Sequence, residues 1–111
     1  QAIHNHFSGV VEETEEGDKF ASALGDKTVL FMQNHGILST GPSIDIALWY
    51  YFSLERCCQS QLMADAAGKT TLIPHETAIK TREFIANDLA AWASFQPLFD
   101  MISEKEPDLL D

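Results

Sequence analysis

Four histidines and two cysteines are the side chains in this 111-residue sequence best suited to metal or nucleophilic chemistry. His35 stands between Asn34 and Gly36, directly after the apolar run 28–32 and Gln33. Neutral imidazole is a common ligand for zinc and related divalent ions. A histidine at the end of a buried strand is aimed by a rigid element, while the neighbouring glycine lets backbone or ligand approach closely. One donor does not make a metal site, so on spacing alone His35 is open to two readings, a ligand or an ordinary loop histidine. His4 and His6 form an HxH pair, and alternate residues of a strand share a face, so the two could chelate one ion. His75 follows Pro74 and reads as a helix-start residue. Cys57 and Cys58 are adjacent inside an apolar stretch. Neighbouring cysteines bridge only with strain, so they read as reduced core thiols, which points to a reducing, cytoplasmic setting. A redox or nucleophilic pair is the alternative, with only Arg56 nearby to favour a thiolate.

The elements that must position these residues follow from periodicity and punctuation. Residues 7–11 resemble the tail of a strand, and 12–17 form an acidic connector. A helix is expected over 18–24, where Phe20, Ala21 and Leu24 share a face, with Gly25 as a left-handed stop. The continuous apolar run 28–32 fits a strand covered on both faces, and 37–40 a second short strand. Gly41-Pro42-Ser43 is a turn, with Ser43 as N-cap of the next helix. That helix, 44–67, is marked by Ile44, Ala47, Leu48, Tyr51, Leu54, Cys58, Gln61 and Leu62 at intervals of three and four, and Gly68 closes it. Its first half is apolar nearly all round and requires burial between layers or against another subunit. Further helices are expected over 75–86 and 89–102, separated at Asn87-Asp88, with Pro97 kinking or interrupting the last. The acidic tail, 103–111, is expected to fray.

The length suits one domain, 1–111, with one core. The net charge of −10 argues against nucleic-acid or anionic-membrane partners, since a phosphate-tracking face needs clustered Lys and Arg and only seven are present. No stretch approaches the roughly 20 apolar residues needed to cross a bilayer.

The run 29–41, VLFMQNHGILSTG, followed by Ile44-Asp45-Ile46-Ala47 and by Leu54-Glu55-Arg56, resembles the class II aldolase/adducin family. An apolar strand, Asn-His-Gly, a second strand ending in glycine and a long helix with Leu-Glu-Arg occur in the family's order. Phe7-Ser8-Gly9-Val10-Val11 and Ala23-Leu24-Gly25 look like its approach to that motif. The likeness covers residues 7–67, with only general helical character beyond. It implies an α/β fold, a layered mixed β-sheet with packed helices, of which this chain is the helix-rich C-terminal portion.

In class II aldolases a divalent ion, usually zinc, is held by three histidines and polarises the substrate so that an enediolate forms during carbon–carbon cleavage. The resemblance places the histidine of Asn-His-Gly on His35. The family's HxH pair lies about twice as far upstream as His6, which is only 29 positions before His35, so His4 and His6 are the weaker candidates. The phosphate-binding loop, an acidic proton carrier and two metal ligands would then lie outside this sequence. A divalent metal, Zn2+ by the resemblance, is expected only with ligands from the missing upstream half. The chain alone is expected to be inactive, part of a lyase for a small hydroxy-carbonyl or sugar-phosphate-like substrate. The alternative is an adducin-like, non-catalytic interaction and oligomerisation module. Either way, self-association or a partner chain supplying the missing half is expected.

Overall fold

The apolar run 29–32 forms the centre of a three-stranded sheet, and its first two residues show why the run is unbroken. Val29 and Leu30 point to opposite faces, and both are buried. The computed structural model describes residues 1–6 and 14–110. Strand β1 (Ala2–His4) runs parallel to β2 (Val29–Met32), with Ala2 opposite Leu30 and His4 opposite Met32. Strand β3 (Gly36–Ser39) returns antiparallel, with Leu30 opposite Leu38. The expected pairing of neighbouring strands over 28–32 and 37–40 is therefore present. The strand tail expected over 7–11 lies outside the described residues.

Helix α1 (Thr14–Leu24) packs on β1 and β2. It begins a turn earlier than the expected 18–24. Gly17, which reads as a boundary, is held inside the helix, and Glu15 and Glu16 favour the first turn by facing the positive end of the helix dipole. Gly25 adopts a left-handed conformation (φ 54°) and its N–H bonds to the Ala21 carbonyl at 3.0 Å, the stop expected there.

Helix α2 (Ile44–Ala67) matches its expected span. Ser43 caps it, its hydroxyl accepting from the Ile46 N–H at 3.4 Å. Its first turns lie over β3: the Ser39 hydroxyl donates to the Ala47 carbonyl at 2.9 Å, and Ile46 is buried beneath. Gly41 is required at this junction. A Cβ there would stand 2.9 Å from the Ala47 backbone nitrogen and 3.1 Å from Ile46 Cγ2. We expect Gly41→Ala to lower stability by about 1–3 kcal/mol through this overpacking. Urea titration of the variant checks it, and a loss within the error of the wild type would show that the strand–helix junction is not tight.

Helix α3 (His75–Ile85) is followed by α4 (Asp88–Lys105), which packs along α2. Ala91 and Phe95 of α4 are buried in that contact, and the Gln96 amide donates to Asp45 Oδ2 at 3.3 Å. Burial and the Asp88 carboxylate hold the Tyr50 phenol above its usual pKa, so it is neutral at this same contact. Asn87 serves both helices: its side-chain oxygen accepts from Ala90 N–H, and its amide donates to the Phe84 carbonyl, each at 2.9 Å. Of the two outcomes expected at Pro97, interruption does not occur: α4 runs through it. The carbonyl it leaves without a helical partner belongs to Ala93, which is exposed and can be satisfied by water. At the C-terminus, Pro107–Leu110 form a 3-10 turn.

The layers are therefore a small mixed sheet, then α2, then α4, with helix far outweighing strand. No helix of the described residues is long and apolar enough to cross a membrane.

A candidate metal centre at the end of the sheet

The turn joining β2 to β3 is Gln33-Asn34-His35, closed by a hydrogen bond from His35 N–H to the Met32 carbonyl at 3.1 Å. Asn34 lies in the left-handed region (φ 56°), a conformation that asparagine tolerates better than most residues. Gly36 follows at φ 149° and pairs with Met32. The order Asn-His-Gly is thus the chemistry of a tight turn, with His35 between two residues suited to positive φ. His35 is exposed at the tip, on a hairpin anchored by fully buried Leu30.

His4 comes to the same end of the sheet. It is the last residue of β1, opposite Met32, and its carbonyl accepts from the Gln33 N–H at 2.9 Å, continuing the ladder to the edge of the turn. Its ring stands edge-on to Phe20 of α1, with centroids 5.1 Å apart, and edge-on to His6 at 6.3 Å. His4 Nε2 is buried and has no hydrogen-bond partner among the described residues. The strand ends at His4, so the alternation that would put His4 and His6 on one strand face does not extend to His6, which is exposed. The aromatic neighbour Phe20 had no signal in the sequence, because the contact depends on how α1 crosses the sheet.

Among the described residues no group of three or more His, Cys, Asp or Glu side chains could hold a metal ion. His75 begins α3, exposed, as its place after Pro74 suggests. Cys57 and Cys58 are free thiols, but they are not both core residues. Cys57 is exposed and Cys58 only half-buried, because no described element covers that side of α2. Cys57 lines a shallow open depression with Arg56, Ser60, Gln61 and Ala64, all on one helix.

Comparison with known proteins gives this geometry its context. Residues 2–62 match the model of the Class II Aldolase and Adducin N-terminal domain. The decarboxylase NovR of Streptomyces niveus is 36% identical over 107 residues, which are 96% of this chain and 40% of NovR. A 4-hydroxy-3-prenylphenylpyruvate oxygenase/4-hydroxy-3-prenylbenzoate synthase of Streptomyces roseochromogenus subsp. oscitans is 34% identical over 107 residues, 96% of this chain and 39% of the relative. Among solved structures, the L-fuculose 1-phosphate aldolase of Glaciozyma antarctica PI12 superposes with a TM-score of 0.80 at 32% identity, covering 96% of this chain and 39% of that one. The chain spans about two fifths of the length of the curated relatives it matches. The likeness runs well past residue 67 into α3 and α4, further than the motif residues alone indicated. Sequence match and fold agree, and the chain belongs to the class II aldolase and adducin family.

Proposed function

We propose that this chain contributes one ligand, His35, to the divalent-metal site of a carbon–carbon-cleaving lyase acting on a small hydroxy-carbonyl or sugar-phosphate-like substrate. The carrying observation is the placement of His35, exposed on a turn whose backbone is fixed by Asn34 and Gly36 at the end of a buried strand. The described residues do not fit zinc by themselves, since they offer no cluster of three donors, so the other ligands must come from outside them. What these residues do is narrower. The hairpin aims one imidazole, and β1 delivers His4 to the same sheet end.

Relatives named as a decarboxylase and as a 4-hydroxy-3-prenylphenylpyruvate oxygenase/4-hydroxy-3-prenylbenzoate synthase match almost the whole chain, and a fuculose-phosphate aldolase shares its fold. These names support bond cleavage next to an oxygenated carbon as the reaction class. The reduced thiols Cys57 and Cys58 are consistent with a cytoplasmic setting. The competing reading is an adducin-like interaction module without metal, which the matches to an adducin-related protein of Caenorhabditis elegans and to alpha-adducin of Rattus norvegicus support.

The isolated chain should bind zinc only weakly, because fewer than three protein donors do not close a site. Elemental analysis after dialysis tests this. Stoichiometric zinc in the isolated chain, lost in His4→Ala/His6→Ala, would instead make that pair the chelate and remove His35 from its central place.

A further inference from the structure

Strand β1 has only three residues and lies at the edge of the sheet, yet the turn that carries His35 is fastened to it. The fastening is the hydrogen bond from the Gln33 N–H to the His4 carbonyl at 2.9 Å. Gln33 is the first residue of that turn, and the His35 N–H closes it on the Met32 carbonyl. A carbonyl at the end of so short an edge strand holds a turn in place only where something else holds the strand end, since such ends open readily.

The His4 side chain supplies that hold. Residues opposite each other in a sheet share a face, so His4 lies on the face of Met32 and, by alternation, of Ala2 and Leu30. Helix α1 covers this face: it packs on β1 and β2, and its Phe20 ring stands 5.1 Å from the His4 ring at an interplanar angle of 89°. Helix α2 takes the opposite face, that of Val29, because Ser39 stands opposite Val29 and its hydroxyl reaches the Ala47 carbonyl. Perpendicular aromatic pairs are favourable beyond the area they bury, so the ring ties the end of β1 to α1.

The same seat works against the more obvious use of the imidazole. His4 Nε2 is sealed from solvent and has no hydrogen-bond partner among the described residues. A sealed nitrogen reaches no ion, so Nε2 is not a ligand and that side of the ring acts by packing. His6 lies beyond the strand end and is exposed, with its ring 6.3 Å from that of His4 and perpendicular to it at 88°. These contacts lie within the chain itself, and further polypeptide only adds to the burial of Nε2.

We propose that His4 is a positioning residue: its ring, seated on Phe20, holds the end of β1 so that the His4 carbonyl fixes Gln33 and, through it, the turn that presents His35. The consequence for metal binding rests on the reading of His35 as a ligand, whereas the fixing of the turn does not.

Amide exchange of the 111-residue chain tests the fixing directly. His4→Ala keeps the carbonyl and removes the ring, and the Gln33 amide should then exchange about 10-fold faster, the effect of losing one net hydrogen bond. The Thr40 N–H, bonded to the Thr28 carbonyl at 2.9 Å at the other end of the same strands, is the internal standard and should change by less than about twofold. Phe20→Ala should speed Gln33 in the same way. His4→Phe, which restores a perpendicular aromatic pair without a nitrogen, should return Gln33 to within about threefold of the unsubstituted chain. Unchanged exchange at Gln33 in His4→Ala, equal acceleration of Gln33 and Thr40, or failure of His4→Phe to restore protection would each overturn the proposal. In a protein of the relatives' full length that contains this chain, zinc affinity measured by chelator competition should fall about 10–100-fold in His4→Ala and recover in His4→Phe. The same loss in both variants would make the imidazole itself a ligand and sink the positioning role. Zinc retained in full by His35→Ala would instead refute ligation by His35, and exchange at Gln33 would still decide the role of His4.

Discussion

In a protein of the relatives' full length that contains this chain, His35→Ala should remove bound zinc and activity together while leaving the fold intact. The side chain is exposed at a turn tip, and exposed substitutions of this kind shift stability by no more than about 0.5 kcal/mol. Changing the residues that merely orient metal ligands costs about 10–100-fold in affinity, so loss of a ligand itself should exceed about 100-fold. Several kcal/mol of transition-state stabilisation depends on the ion, and at 1.36 kcal/mol per decade the rate should fall by about a thousandfold or more. His75→Ala, on an exposed helix start remote from the turn, should change neither quantity by more than about twofold. Zinc affinity by chelator competition, alongside turnover, decides the matter. Full zinc occupancy in the His35→Ala protein would refute ligation by His35 whatever happened to the rate. A less direct effect belongs to Asn34. A side chain less tolerant of its left-handed backbone would strain the turn by about 1–3 kcal/mol and move His35 without removing it.

What the sequence disclosed, and what it withheld, divides along local and non-local lines. The strands at 28–32 and 37–40 were legible because an unbroken apolar run and a turn written as Asn-His-Gly are local signals. The long helix was legible because Gly41-Pro42-Ser43 starts it and Gly68 ends it. His35 could be singled out for the same reason, since its place at a strand end is encoded by its immediate neighbours. Strand β1 had no such signature. It has three residues, and its identity depends on parallel pairing with residues 28 positions later, which no local pattern reports. The entry of α1 was misplaced because Gly17 carries a low helix propensity that packing on β1 and β2 overrides. Cys57 was misjudged because an apolar neighbourhood in sequence is not a covered surface in space. The helix face that carries Cys57 has no described element over it. The histidine pair shows the same limit, since spacing of two suggests a shared strand face while the strand in fact stops at His4.

The hairpin that presents His35 depends on a small core, and the largest structural effect should come from Leu30→Ala. Leu30 is fully buried at the middle of the central strand, opposite Ala2 on one side and Leu38 on the other. Truncating such a side chain costs the transfer free energy of the lost atoms plus the cavity left behind, about 2–5 kcal/mol. Whole domains are stable by only about 5–15 kcal/mol, and among the described residues only Val29, Ile46, Ala91 and Phe95 share the buried core with Leu30. The substitution should therefore unfold much of the population, and urea denaturation followed by far-ultraviolet dichroism should show the midpoint fall or the transition vanish. Leu72→Ala removes the same atoms from a residue that is 83% exposed, and should leave the midpoint unchanged within about 0.5 kcal/mol. Equal losses from the two variants would mean that β2 is not the centre of the fold. Because Leu30 lies in the strand that ends at the turn, apparent metal affinity through His35 should fall in Leu30→Ala by the fraction of the protein that is unfolded, while the folded fraction still binds. Added zinc should then raise the urea midpoint of Leu30→Ala in a protein of the relatives' full length, since a ligand that binds only the folded state stabilises it by mass action, whereas the doubly substituted Leu30→Ala/His35→Ala protein should not respond.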